Sequence, residues 1–113
     1  MTRDEFTKLF SKEMRARCYA ISACYPKSII FHHRSRCRDD KFVLRFEGHC
    51  ESEWKASKYD DDLFFEFQVQ DHETYNRDMD FDAYSTMIHY HIGKTEMKEF
   101  VDRVILAVDR YYD

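Results

Sequence analysis

The stretch TEMKEFVDRVILAVDRYY, Thr95 to Tyr112, places apolar residues at Met97, Phe100, Val101, Val104, Ile105, Val108, Tyr111 and Tyr112. These recur at i, i+3, i+4 and i+7, the spacing of one face of an α-helix. Lys98, Glu99, Asp102, Arg103, Asp109 and Arg110 fall on the opposite side. Thr95 is read as the cap of the first turn, with Glu96 and Glu99 at the positive end of the helix dipole. A helix of this kind needs a flat apolar surface beneath it, and the strand-like runs that precede it supply one.

The nearest run is Tyr84 to Ile92, where Ile88, Tyr90 and Ile92 alternate with Met87, His89 and His91. Gly93-Lys94 then turns the chain into the helix. Further back, Leu63 to Gln70 (LFFEFQVQ) sets Leu63, Phe65, Phe67 and Val69 against Phe64, Glu66, Gln68 and Gln70. Lys41 to His49 repeats the pattern, with Phe42, Leu44 and Phe46 on one side and Val43, Arg45 and Glu47 on the other, and Gly48 marking a bulge or the end. Ser28 to Arg36 has Ile29, Phe31 and His33 on one face and Ile30, His32 and Arg34 on the other. Residues 51–62 read as a polar linker carrying Trp54 and Tyr59, and residues 71–83 as a long acidic connection.

At the start, Thr2-Arg3-Asp4-Glu5 fits a capping box. Phe6, Leu9, Phe10, Met14, Cys18 and Ile21 follow it as a helical stripe. Pro26 excludes a helix interior and biases Tyr25 to extended geometry, so the first helix is expected to end near Ala23. The element order is then α-β-β-β-β-α. This is an α+β two-layer sandwich: a four-stranded antiparallel sheet with the N- and C-terminal helices packed on one face, residues 1–113 forming a single domain.

Composition bounds the function. The chain of 113 residues is 43% hydrophobic and 17% aromatic, which excludes a disordered tail. No apolar run approaches the roughly 20 residues of a membrane helix, so no membrane partner is expected. The N-terminus is charged from its third residue, unlike a signal peptide, and a cytoplasmic location is expected. Cys18, Cys24, Cys37 and Cys50 form no CxxC pair and read as reduced, partly buried thiols. No P-loop, dinucleotide fingerprint or HExxH motif is present, and nothing singles out a carboxylate pair or an activated nucleophile. The chain is accordingly read as non-enzymatic and without cofactor.

Charge is distributed unevenly. Residues 1–58 hold 13 Lys and Arg against 8 Asp and Glu, a balance of +5, whereas residues 59–113 hold 5 against 14, a balance of −9. Between Tyr59 and Asp82 nine carboxylates meet one cation, Arg77, and are interleaved with aromatic residues. Carboxylates in a row can imitate phosphates and occupy a basic groove, while rings beside them supply contact area. In this character the chain resembles phage anti-CRISPR and other anti-defence proteins, and immunity proteins of nuclease toxins. The leading expectation is a protein-binding inhibitor or regulator of a basic, nucleic-acid-handling partner protein. Its contact residues would be Asp60, Asp61, Asp62, Glu66, Asp71, Glu73, Tyr75, Asp78, Asp80, Phe81 and Asp82, helped by the open face of the sheet.

Two alternatives follow from other residues. Lys27, Arg34, Arg36, Arg38, Lys41 and Arg45 surround the first hairpin, where they could grip a nucleic-acid backbone beside Phe31 and His32. The acidic half opposes that reading. His32-His33 with Cys37, His49-Cys50, and His89 with His91 carry metal-ligand chemistry, but at no finger-like spacing. A homodimer through the edge of the last strand or the open face is also compatible with the pattern.

Overall fold

A computed structural model describes residues 3–25, 27–34, 41–46, 62–70 and 86–112. Helix α1 spans Arg3–Ala16 and helix α2 spans Met97–Tyr112, flanking five strands: β1 Tyr19–Cys24, β2 Ser28–His33, β3 Lys41–Phe46, β4 Asp62–Gln70 and β5 Thr86–His91. The strands lie in one sheet in the order β1-β2-β3-β4-β5, every neighbour antiparallel. This is the expected α+β meander with a helix at either end.

The sheet has one strand more than the sequence pattern implied. The first helix stops at Ala16, not near Ala23, and residues 19–24 form the additional strand. The break has a local cause. The amides of Arg17 and Cys18 bond back to the carbonyls of Met14 and Arg15, tightening the last turn. Cys18 then takes the left-handed conformation, φ 67°, which ends a helix. Tyr25 and Ser28 exchange backbone hydrogen bonds of 2.8 and 3.4 Å, closing a β1–β2 hairpin. The pairing shifts register between Ile21 and Ala23, leaving Ser22 as the bulged residue.

Both helices cover one face. From α1, Phe6 stacks on Phe65 at 4.9 Å and Phe10 meets Phe31 edge-on at 6.0 Å. From α2, Phe100 reaches Phe65 at 5.2 Å and Tyr90 at 5.5 Å, and Tyr111 meets Phe42 at 5.8 Å. Phe6, Phe10, Phe31, Phe42, Phe65 and Phe100 are all fully buried. These aromatic contacts add orientation to a core held mainly by burial of apolar area. Leu9, assigned to the α1 stripe by its spacing, is 44% exposed. It lies one step round the helix from Phe6, Phe10 and Met14, which sit at i, i+4 and i+8.

One end detail differs from the sequence reading. The Thr95 hydroxyl accepts the His91 amide at 3.0 Å and so belongs to the β5–α2 turn, with the helix beginning at Met97. Gly93, at φ 85°, lets that turn close, with the amides of Lys94 and Thr95 both on the His91 carbonyl. At the other end, Arg17 pairs with Asp102 and so ties the end of α1 to α2. The capping box at Thr2, the bulge at Gly48 and the segment holding Trp54 and Tyr59 lie outside the described residues.

Candidate functional site: the uncovered sheet face

Because both helices pack on one side, the alternate residues of every strand line a face that no described element covers. Residues opposite one another in an antiparallel sheet share a face, so the register gives its layout. One row runs Ala23, Ile30, Val43, Gln68, and the next runs Ser28, Arg45, Glu66, Met87. Phe64 lies opposite His89, and Ala20 opposite His32. Alternation puts Ile30, His32, Val43, Arg45, Phe64, Glu66, Gln68, Met87, His89 and His91 on this face. Ala20 and Ala23 extend it onto β1, the strand the sequence pattern did not imply.

The polar groups on this face are organised by one another. Arg45 approaches Glu66 at 3.9 Å across β3 and β4, and Gln68 Nε2 donates to the same carboxylate at 2.9 Å. Glu66 is thus engaged on both sides, and of the proposed acidic contacts it alone has a described side chain. Phe64 stacks on His89 at 5.0 Å and is still 41% exposed. Met87 is 54% exposed on the adjacent strand. The result is an apolar strip at Ile30 and Val43, a satisfied polar cluster, and an exposed aromatic and thioether edge.

Strand β4 divides the acidic run. It carries the chain about 27 Å from Asp62 to Gln70. Asp60, Asp61, Asp71, Glu73, Tyr75, Asp78, Asp80, Phe81 and Asp82 lie outside the described residues. The basic group is divided as well. Arg45 lies opposite Ser28, and the Lys27 carbonyl accepts the Phe46 amide, so Lys27 and Arg45 share one end of the hairpin. Lys41 and Arg34 sit toward the other end, Lys41 about 13 Å along β3 from Arg45 and Arg34 about 23 Å along β2 from Lys27. Arg36 and Arg38 lie outside the described residues.

The histidines and cysteines are dispersed. His32 Nδ1 meets the Ser22 hydroxyl at 2.6 Å on the uncovered face, whereas His33 packs edge-on against Tyr19 at 4.8 Å on the other. No carboxylate among the described residues orients His32 toward base chemistry. His89 and His91 share a face with ring centres 6.3 Å apart, and His91 Nδ1 lies 3.0 Å from the Ile92 carbonyl, to which it donates. Among the described residues no three His, Cys, Asp or Glu side chains converge on one point. Cys18 and Cys24 are free thiols and exposed, against the expectation of partial burial. Desolvation raises the Cys24 thiol above its ordinary 9.0, the Arg3 charge opposing it more weakly. Cys24 therefore stays protonated at neutral pH, unlike an activated nucleophile. His49, Cys37 and Cys50 lie outside the described residues.

Comparison with protein-family models, with curated proteins and with solved structures finds no match to this chain. No helix among the described residues is long and apolar enough to cross a membrane. The functional reading therefore rests on the chemistry of the uncovered face.

Proposed function

We propose that this chain is a non-enzymatic protein-binding inhibitor or regulator that docks a basic partner protein. The contact joins the uncovered sheet face to the acidic run leaving β4. The observation that carries the reading is the pair of helices on one face, which leaves Phe64 and Met87 exposed beside Arg45, Glu66, Gln68 and His89 on the other. Aromatic and methionine side chains among satisfied polar groups have the composition of an interface centre. The acidic run would supply steering and salt sensitivity, as charge does at protein interfaces.

Affinity capture from the native host tests this proposal with two matched variants. Phe64 is 41% exposed on the sheet face and Leu9 is 44% exposed on α1, so serine at either site costs the fold little. Phe64→Ser should abolish retention of a basic protein that Leu9→Ser retains. A second set, Asp78→Lys, Asp80→Lys and Asp82→Lys, should weaken retention and flatten its salt dependence. Equal retention by Phe64→Ser and Leu9→Ser would remove the proposal. The nucleic-acid reading predicts a different result, a steep salt-dependent gel shift weakened by Lys27→Glu and Lys41→Glu.

A further inference from the structure

Among the described residues strand β5 is the last in the sheet, and a cleft of about 260 Å³ runs along it. Its walls include Met87 and His89, which belong to the uncovered face, and Arg103, Leu106 and Arg110, which belong to α2 on the opposite side. A concavity bordered by residues from both faces must wrap around the strand's outer edge.

The backbone there has a defined orientation. His91 directs its amide to the Thr95 hydroxyl and its carbonyl to the amides of Lys94 and Thr95, away from β4. In an antiparallel strand the residues alternate in this respect, so Met87 also turns its amide and carbonyl outward. The cleft thus presents edge-strand backbone that a further strand can pair with.

The chemistry of the occupant follows from α2. Arg103 and Arg110 stand one on each side of Leu106, about 10 Å apart along the helix axis. Leu106 is 52% exposed, and no ion pair joins either arginine to a described residue. Alternate residues of an added strand rise toward α2 at a spacing of about 7 Å. Acid, apolar and acid at i, i+2 and i+4 would therefore meet Arg103, Leu106 and Arg110, the long guanidinium arms absorbing the mismatch. A second copy of this chain adding β5 to β5 would set Arg103 near the other copy's Arg110, a like-charge contact.

We propose that the β5–α2 cleft captures an extended segment of another protein, carrying two carboxylates that flank an apolar residue at alternate positions. The segment adds as a sixth strand. The cleft shares Met87 and His89 with the uncovered face, but it stands on the edge backbone of β5 and the α2 arginines and does not depend on the uncovered-face reading.

The test uses fluorescein-labelled peptides with the cores Glu-Thr-Leu-Thr-Glu and Lys-Thr-Leu-Thr-Lys, titrated by anisotropy against the full chain. The acidic peptide should bind at least about tenfold more tightly than the basic one, and Arg103→Glu with Arg110→Glu should reverse that order. Met87→Pro removes an outward amide without touching the β4 ladder and should abolish binding; N-methylation of the peptide backbone should do the same if that variant fails to fold. Equal binding of both peptides, or binding indifferent to the arginine variants and to N-methylation, would overturn the proposal. So would failure of both peptides to bind, or sedimentation showing a dimer that Arg103→Glu and Arg110→Glu dissociate.

Discussion

Single side chains carry uneven shares of this fold. Phe6 is fully buried, stacked on Phe65 and edge-on to Tyr90 and Phe100, so it joins both helices to the sheet. Phe6→Ala should cost about 3–5 kcal/mol in urea unfolding, because the site is walled by rings that cannot collapse inward. The Arg45–Glu66 pair is the opposite case. The Arg45 side chain is 52% exposed and the contact is 3.9 Å, so Glu66→Gln should change stability by less than about 1 kcal/mol. Cys18 is held at φ 67° and is exposed, so Cys18→Gly should stabilise the protein by about 0.5–1 kcal/mol. Tyr90 gives a pH signature. Burial raises its hydroxyl above the ordinary value of 10.0, since the anion is disfavoured in the core. The unfolded tyrosine ionises first, so stability holds below that value and falls as pH rises past it. Unfolding from pH 8 to 11 should show this loss, reduced in Tyr90→Phe.

Elements were legible in the sequence wherever a single period dominated. In β4 and α2 the alternation and the helical stripe each run unbroken, and both were placed to within a residue or two. Strand β1 was hidden by coincidence. Met14, Cys18 and Ile21 continue the helical spacing of Phe6 and Phe10, although Cys18 and Ile21 belong to the strand side of the break. The helix ends at a left-handed cysteine where glycine would have been a clear stop signal, and the bulge at Ser22 interrupts the alternation of Tyr19 and Ile21. The legible clue was the short span Tyr25 to Ser28 between two apolar runs, which is hairpin length. The β5–α2 cleft had one clue, Leu106 alone on an otherwise charged helix side. The orientation of α2 can be tested directly. Val104→Asp buries a carboxylate at a fully buried site and should unfold the protein or cost several kcal/mol, whereas Leu106→Asp should stay within about 0.5 kcal/mol.

Among the described residues the molecule is a sheet with one clothed face and one bare face, and the proposed function is read from that asymmetry. The bare face could be anticipated because it needs only the parity of each strand, and parity survives errors in where a strand ends. The proposed acidic contacts were less legible, since β4, Asp62–Gln70, lies inside a run that is continuous in sequence. One of its members, Glu66, is engaged by Arg45 and Gln68. Charge counted along a chain says little about where strands carry it. The most direct test of the account is amide chemical-shift mapping of the isotope-labelled chain, titrated with the basic protein that capture retains. Shifts should concentrate at Ile30, Val43, Arg45, Phe64, Glu66 and His89. Shifts confined to the outer surfaces of α1 and α2, around Lys8, Lys12, Lys98 and Glu99, would contradict it.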